Sequence, residues 1–194
     1  MTQSYRMKQP EIETTRLLIR EVLPEDVSGM FALDSDPKVH EYLGKAPIET
    51  IEQASHAIAF IRGQYEVQGI GRWAVIEKSS GNFIGWTGFK VNPGYINGVH
   101  EVFDLGYRFV ADAWGKGYAT ETSIACLNYA FEHLPFDPIY GMADVHNEAS
   151  NHILKKMGMK YVNQFDFDGD PHYFYQITKA AWQQGPYSTI FKDG

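Results

Sequence analysis

Two glycines and a lysine stand directly before a helix-forming run in the stretch WGKGYATET, which spans residues 114–122. The first amide groups of a helix have no intrahelical partner, and the helix dipole adds partial positive charge there. Gly115 and Gly117 remove side chains that would block a ligand, and Lys116 adds a cation. The pattern predicts a phosphate cradle of backbone N–H groups from Gly115 to Thr120. A glycine-rich turn that binds nothing fits the same residues equally well.

Other site chemistries lack support in the residue spacing. The GxxxxGK[ST] pattern of the P-loop is absent, and so is the third glycine of a dinucleotide-binding loop. The histidines show no zinc-binding spacing and no HExxH motif, so no metal site is predicted. The only cysteine, Cys126, lies in a mainly apolar stretch, which is typical of packing.

Composition restricts the class of protein and its partners. The chain has 194 residues, is 44% hydrophobic and carries a formal charge of −7. That charge argues against sequence-independent nucleic-acid binding and permits an acidic cleft that attracts a cationic amine. The single cysteine excludes an internal disulfide. We recognise no signal peptide and no apolar run of the roughly 20 residues that cross a membrane, so the default expectation is a cytoplasmic protein.

Hydrophobic periodicity and turn residues divide the chain into strands and helices. Strands are predicted at 16–22, 72–78, 82–91, 102–110, 139–145, 160–167 and 171–178. Helices are predicted at 24–35, 50–68, 117–133, 147–157 and 179–184, and one more short turn of helix at 36–43. In the long helix, Thr50 is the expected N-cap, and one face is expected to be buried through Ile51, Ala54, Ile58, Ile61 and Tyr65. A polar loop is expected at 92–101, and a loose tail at 185–194.

This order predicts one α/β (α+β) domain over residues 1–194, with its core at about 14–178. The expected architecture is a single mixed, mostly antiparallel central sheet with helices on both faces. Parallel pairing is expected only between the two strands that flank the helix beginning at Gly117.

Several segments, in the same order, resemble the GCN5-related N-acetyltransferase (GNAT) superfamily, and specifically its RimJ/RimL-like branch. WGKGYAT resembles the acetyl-CoA pyrophosphate loop, whose general pattern is Q/R-x-x-G-x-G/A. Trp114 takes the first slot, which departs from the general pattern but is usual in this branch; Gly117 and Ala119 take the fourth and sixth. TTRLLIREVLPED, FIGWTGF and DLGYRF are similar to its first, third and fourth strand regions. NEASNHILKKMGM resembles its N-x-x-S-x-x-x-L-x-K-x-G-F segment, with Met159 for the usual phenylalanine.

The resemblance implies the GNAT acyl-CoA N-acyltransferase fold, with splayed fourth and fifth strands at 102–110 and 139–145, and acetyl-CoA as cofactor, with CoA as product. For the pantetheine arm and the thioester carbonyl it implies backbone groups of Arg108, Phe109 and Val110. For the pyrophosphate it implies Trp114, Gly115, Lys116, Gly117, Tyr118, Ala119 and Thr120. Asn147 would bind the pantetheine arm, although a helix N-cap explains it without a ligand. Ser150 would lie near the cofactor sulfur, although first-turn packing explains it equally well.

The catalytic groups are less defined. Relatives carry a tyrosine general acid where this chain has Leu154, so Ser150 is the candidate that hydrogen-bonds the leaving thiolate. Asp104 and Glu101 are the candidate bases, ahead of His100, Asp144 and His146. Asp104 alternates with the aromatic face of Phe103, Leu105 and Tyr107, which directs it toward the predicted cleft. A polar strand residue or an acceptor-binding carboxylate are the other interpretations of Asp104.

We therefore predict an acetyl-CoA-dependent N-acetyltransferase in which an amine attacks the thioester directly. The N-terminal amine of a ribosomal protein is one acceptor, and a small amine, amino acid or antibiotic is the alternative. A non-catalytic acyl-CoA-binding module, or a domain whose glycine loop binds nothing, would also fit the sequence. Neither nucleic acid nor membrane is an expected partner, and a homodimer is compatible with the sequence.

Overall fold

The computed structural model describes residues 8–44 and 46–189, and their strands form one eight-stranded sheet. The strands are β1 (Ile12–Glu13), β2 (Leu17–Glu21), β3 (Arg72–Glu77), β4 (Phe83–Ile96), β5 (Val99–Phe109), β6 (Ile139–Asp144), β7 (Lys160–Phe167) and β8 (Asp170–Ile177). The α-helices are α1 (Val27–Asp34), α2 (Ile51–Gln68), α3 (Tyr118–His133), α4 (Glu148–Lys156) and α5 (Lys179–Gln183). Short 3₁₀ turns at Pro24–Asp26 and Ala111–Ala113 precede α1 and the glycine loop.

The sheet order is β1-β2-β3-β4-β5-β6-β8-β7. All neighbouring strands run antiparallel except β5 and β6, which run parallel on either side of α3 in the sequence. The predicted mixed, mostly antiparallel sheet is therefore confirmed. The two parallel strands share a single register pair, Asp104 with Tyr140, and separate beyond it. This separation is the splay that the family resemblance implied.

Successive residues of β5 show that helices cover both faces of the sheet, because neighbouring strand residues point to opposite sides. Tyr107 bonds to Ser150 of α4, and Arg108 pairs with Asp34 of α1. Thr87, the register partner of Tyr107, contacts Cys126 of α3. The α3 and α4 helices therefore share one face of β5, and α1 lies on the other.

Three local predictions were wrong. Residues 92–101 are not a loop, because β4 and β5 continue to Ile96 and Val99 and join through a tight turn. Its central residues, Asn97 and Gly98, have φ of 50° and 78°, the conformation that an Asn-Gly pair favours between strands. The short turn of helix predicted at 36–43 is a series of hydrogen-bonded turns and not a helix. Ile51, expected on the buried face of α2, is 40% exposed.

Several helix boundaries agree with the sequence. Thr50 accepts a hydrogen bond from the N–H of Gln53 and so caps α2 as predicted. Gly158 ends α4 with φ of 80°, and glycine adopts this conformation without the steric cost of a side chain. The tail predicted to be loose packs on α3 through residue 189, where the N–H of Thr189 donates to Oδ1 of Asn128. The remaining predicted tail, 190–194, lies outside the described residues.

Candidate active site

The glycine loop ends at an uncapped helix N-terminus. The first helical bond of α3 runs from the N–H of Glu121 to the carbonyl of Gly117, and no side chain caps the helix. The N–H groups of residues 118–120 are therefore not used by the helix itself. Gly115 and Gly117 have φ of 73° and 80°, and a Cβ at Gly115 would have open space around it. The loop is exposed and suits an anionic group.

Arg16, the residue directly before β2, holds this loop in place from a distant part of the sequence. Sequence reasoning missed the role of Arg16. Its Nη1 donates to the carbonyl of Lys116 at 2.8 Å, and its Nη2 lies 2.6 Å from Oε2 of Glu121. The guanidinium also lies over the ring of Tyr118, 4.4 Å from its centroid. The Tyr118 side chain is buried and donates to Glu77, so only its backbone N–H is available to a ligand.

The splay exposes one edge of β5. Val102–Leu105 are buried, whereas Gly106–Arg108 are partly exposed beyond the register pair at Asp104. The N–H of Val110 donates to the carbonyl of Ile84, on the β4 side. Strand N–H groups alternate between the two edges, so Arg108 also directs its N–H to β4, and Phe109 directs its N–H to the splay. Among the three predicted backbone donors, Phe109 is therefore the one that faces the open edge.

Trp114 bonds to the same edge. Its indole Nε1 donates to the carbonyl of Phe109 at 2.8 Å, while half of the side chain remains exposed. The predicted first residue of the pyrophosphate loop thus ties the loop to β5. Ala119 and Thr120, in the first turn of α3, are partly exposed next to it.

The N-terminus of α4 borders the splay from the other side. Oδ1 of Asn147 accepts the N–H of Ser150 at 3.0 Å, which confirms its capping role. Oγ of Ser150 lies 3.1 Å from the hydroxyl of Tyr107 on β5, and that hydroxyl also donates to the Ser150 carbonyl. A tyrosine hydroxyl therefore reaches α4, although the sequence offers only Leu154 at the position where relatives carry one.

Sequence reasoning interpreted Tyr107 as a core aromatic and missed this contact. Burial raises the pKa of Tyr107, more than the hydrogen bond with Ser150 lowers it, so the hydroxyl keeps its proton at neutral pH. The alternation of side chains along β5 correctly predicted the face of the strand on which Tyr107 lies. No local signal could show that α4, more than 40 residues later, would meet that face.

Asp104 lies at the vertex of the splay, but its carboxylate is engaged. Oδ2 accepts from Nη2 of Arg72 at 2.7 Å, and each of these side chains is 11% exposed. Arg72 also donates to the carbonyl of Asp104 and to that of Gly88. Burial raises the pKa of Asp104, and Arg72 opposes that shift. Gly106 leaves room for the pair, since a Cβ there would lie 2.6 Å from Nη2 of Arg72.

Glu101 is not brought to the splay. It lies in the hairpin at the start of β5, with φ of 55° and a side chain that is 65% exposed. Glu101 and Tyr107 are six positions apart, which is roughly 20 Å along a strand. Nδ1 of His100 lies 3.9 Å from Oε2 of Glu101.

A second ion pair lies on the α1 face of the splay. Nη1 of Arg108 lies 2.6 Å from Oδ1 of Asp34, at the end of α1. The guanidinium groups of Arg72 and Arg108 both lie over the ring of Trp86, at 5.2 and 5.1 Å from its centroid. His40 joins this cluster, with Nε2 3.9 Å from Oδ1 of Asp34.

Acidic side chains surround Tyr42, in the segment between α1 and α2. A hydrogen bond with Glu41 raises the pKa of Tyr42, and the charges of Asp144 and Glu148 raise it further. Asp144 ends β6 and Glu148 begins α4, so negative charge gathers where the α1–α2 segment meets the end of the splay.

Two kinds of feature are absent from the part of the chain that the structure describes. No three His, Cys, Asp or Glu side chains are grouped closely enough to hold a metal ion. No helix there has the length and apolar character needed to cross a membrane.

Comparison with known proteins gives the family. Residues 16–160 match the model of the acetyltransferase (GNAT) domain. The chain belongs to the GNAT acetyltransferase family. A curated protein of Bacillus subtilis named "Uncharacterized N-acetyltransferase YoaA" is 30% identical over 151 residues, which cover 78% of this chain and 83% of that protein.

Solved structures share the fold. A GNAT-family acetyltransferase from Bacillus anthracis superposes with a TM-score of 0.74 at 22% identity, covering 88% of this chain and 99% of the other. Spermidine N-acetyltransferase from Vibrio cholerae, solved with CoA and spermine, superposes with a TM-score of 0.70 at 17% identity, with the same coverage of 88% and 99%.

The chain is thus an acetyl-CoA-dependent N-acetyltransferase, as the sequence predicted. The GNAT glycine loop and splay are both compatible with the cofactor. The uncapped N–H groups of α3 suit the pyrophosphate, and the open edge of β5 leaves backbone groups free for an extended arm.

Proposed function

We propose that this acetyltransferase acts on the α-amine of a protein N-terminus, in the manner of the RimJ/RimL-like branch, by direct transfer within the splay of β5 and β6. The observation that carries the proposal is the separation of polar groups on the two faces of β5. Tyr107 and Ser150 lie on the α4 face, and the cluster of Arg108, Asp34 and His40 lies on the α1 face.

Acetyl-CoA supplies an acetyl group activated as a thioester. We assign its pyrophosphate to the N–H groups of residues 115–120, with Lys116 as a flexible cation beside them. Trp114 holds that loop against β5. The free edge of β5 next to Phe109 and the Nδ2 donor of Asn147 would hold the pantetheine arm, since Oδ1 of Asn147 is used by the helix cap.

Tyr107 and Ser150 are the proposed partners of the leaving sulfur. Two hydroxyls 3.1 Å apart can orient each other, so that one directs its proton toward a developing thiolate. In this proposal Tyr107 of β5 takes the role of the tyrosine that relatives carry on α4, where this chain has Leu154. Because burial raises the pKa of Tyr107, its hydroxyl is a hydrogen-bond donor throughout the neutral range.

Asp104 and Glu101, the carboxylates predicted as bases, have other roles in this proposal. Asp104 neutralises Arg72 and so orders the vertex of the splay. Glu101 lies too far along β5 to reach an amine near Tyr107, and its exposure suits a solvated position.

The acidic surroundings of Tyr42 support a cationic acceptor. Glu41, Asp144 and Glu148 would attract an ammonium group before it loses its proton. The same charges suit a small polyamine, and the structural neighbour from Vibrio cholerae is named for spermidine. A small cationic amine is therefore the second candidate acceptor.

A paired assay of binding and turnover tests the proposal. The wild type should gain melting temperature with acetyl-CoA, because a ligand that binds the native state stabilises it. It should then release CoA with peptides that carry a free α-amine, and show no release with the same peptides acetylated. Initial-rate plots should intersect, as expected when both substrates bind before transfer.

Each alternative gives a different result. Turnover of spermidine and not of the peptides would favour the small-amine acceptor. A melting-temperature gain without turnover of any amine would indicate an acyl-CoA-binding module. Parallel initial-rate plots would contradict direct attack.

A further inference from the structure

One row of residues crosses β6, β8 and β7 beside the splay. Asp144 of β6 is the register partner of His172 of β8, and His172 is the register partner of Phe165 of β7. Directly opposed residues of neighbouring antiparallel strands share one face of the sheet. Neighbouring strands lie about 4.8 Å apart, so the row runs roughly 10 Å from Asp144 to Phe165.

The alternation of β8 places this row on the face of the sheet that is opposite to α4. The hydroxyl of Tyr175 in β8 donates to Oδ1 of Asn151 in α4, so Phe174 and His172 of the same strand do not share one face: Phe174 points away from α4. His172, two positions before Phe174, points to the same side as Phe174. Tyr140 of β6 stacks on Phe174 there, with ring centroids 5.1 Å apart. The row therefore lies on the α1 face, across the sheet from the two hydroxyls proposed for the sulfur.

Aromatic rings occupy the β8 and β7 end of the row, and we call Phe165, Phe167 and His172 the aromatic patch. The ring centroid of His172 lies 6.2 Å from that of Phe165 and 5.5 Å from that of Phe167. All three residues are partly exposed. Phe165 also packs edge-on against the buried ring of Phe174, with centroids 5.4 Å apart. Rings that are held by the sheet and open to solvent offer an apolar surface to a side chain from outside.

The other end of the row is acidic and lies at the splay. Asp144 ends β6 beyond the vertex of the splay, and Glu148 begins α4 four residues later. Oδ1 of Asp144 accepts the N–H of His146 at 2.7 Å, and a carboxylate can accept further hydrogen bonds. An ammonium group that enters the splay on this face is therefore attracted to negative charge, with the aromatic patch beginning one strand away.

We propose that the aromatic patch binds an apolar side chain at the third position of the acceptor polypeptide, an inference that rests on the proposed function. An extended chain advances about 3.3 Å per residue, so the third residue lies roughly 7 Å from the α-amine. With the ammonium beside Asp144, that distance falls between His172 and Phe165, at roughly 5 and 10 Å along the row. Later residues of the acceptor pass over β7, the last strand of the sheet, so the body of an acceptor protein stays outside it.

The experiment measures CoA thiol release from acetyl-CoA with heptapeptides that begin with serine and contain only glycine and serine elsewhere. Three further peptides carry phenylalanine at the third position, phenylalanine at the sixth, or lysine at the third. Phenylalanine at the third position should raise kcat/KM about tenfold over the parent peptide. The gain should come mainly through a lower KM, because the patch contacts the acceptor away from the reacting atoms. Phenylalanine at the sixth position, beyond the patch, should change kcat/KM less than threefold.

Two patch variants and a matched control assign the preference to these rings. Phe165→Ser and Phe167→Ser should each reduce the preference for third-position phenylalanine to within about threefold of the parent peptide. Phe60→Ser removes a phenylalanine that is 65% exposed on α2, away from the row, and should keep the tenfold preference. A melting-temperature gain with acetyl-CoA identifies the variants that fold. Should Phe165→Ser fail to fold, Phe167→Ser alone decides.

Three results would overturn the inference and leave the proposed function standing. One is a wild type that turns over the peptides but prefers third-position phenylalanine by less than threefold. Another is a preference that survives in every patch variant that folds. The third is a stronger preference for lysine than for phenylalanine at that position, which would indicate that the rings bind a cation. A wild type that turns over no peptide would overturn the proposed function together with this inference.

Discussion

Replacement of Asp104 distinguishes a counter-ion from a catalytic base. Its carboxylate lies 2.7 Å from Nη2 of Arg72, and both side chains are 11% exposed, so little water replaces a lost partner. Asp104→Ala would leave the guanidinium buried with carbonyl acceptors only. Breaking a buried pair in this way costs about 3–5 kcal/mol, so we expect that loss in the free energy of unfolding. Asp104→Asn keeps an oxygen acceptor near Arg72 and should cost less, roughly 1–2 kcal/mol.

Urea denaturation followed by fluorescence and circular dichroism measures both losses, and Asp170→Ala is the control at an exposed aspartate in the β7–β8 hairpin. The control should lie within about 0.5 kcal/mol of the wild type. Folded Asp104→Asn should retain the acidic limb of the pH–rate profile. Stability of Asp104→Ala within about 1 kcal/mol of the wild type would refute the counter-ion role. A stable Asn variant without its acidic limb would return Asp104 to the role of base.

Three other changes test separate parts of the site. Gly117→Glu should weaken acetyl-CoA binding about 10–100-fold by calorimetry, because it puts a carboxylate at the anion site. Gly169→Glu, at a glycine that also has positive φ and has open space around its Cβ position, should leave the affinity unchanged. Tyr107→Phe and Ser150→Ala should each lower kcat with cofactor affinity retained, and their effects should not add; full additivity would show that the hydroxyls act separately. Folding lowers the pKa of His40, chiefly through burial, so the stability that this histidine contributes is present above pH 6.5 and is lost as the pH falls. Between about pH 7 and pH 5 in urea titrations, the wild type should therefore lose more free energy of unfolding than His40→Gln.

Local signals in the sequence were sufficient to predict the backbone structure around the candidate site where that structure depends on consecutive residues. Gly115 and Gly117 both have positive φ, a conformation that glycine adopts more readily than other residues, and α3 begins directly after them. Asn147 caps α4 because an amide side chain three residues before an N–H can accept from it. These features follow from chain geometry within one turn, so the packing of distant elements does not alter them.

The hairpin at 92–101 was missed for a different reason. Its asparagines, proline and glycines suggested a polar loop, yet the Asn-Gly pair at 97–98 is a strong signal for a tight turn between strands. The side chain of Asn97 also donates a hydrogen bond to that of Asn163 on β7, so a tertiary contact helps to hold the hairpin. The Asn-Gly turn motif, and not the polar composition, therefore determines the structure of this segment.

The side-chain partners could not be predicted from spacing. Arg72 and Asp104 are separated by 32 positions, Tyr107 and Ser150 by 43, and each pair meets only because the sheet order brings their elements together. Alternation along β5 gave the face of each residue but not the element opposite it. The carboxylate that sequence patterning directed toward the cleft therefore met an arginine instead.

The alternation of a single strand places the polar groups of this site on opposite faces of the sheet. Tyr107 and Arg108 are consecutive, so their side chains point to opposite faces, one toward α4 and the other toward α1. His40 lies on the α1 side, beside Asp34 and Arg108, so β5 separates it from Tyr107. With β5 between them, burial acts on each group separately. It raises the pKa of Tyr107 and lowers that of His40. The same desolvation therefore keeps Tyr107 protonated on the side proposed for the sulfur, where it can donate a hydrogen bond, and keeps His40 neutral on the α1 side.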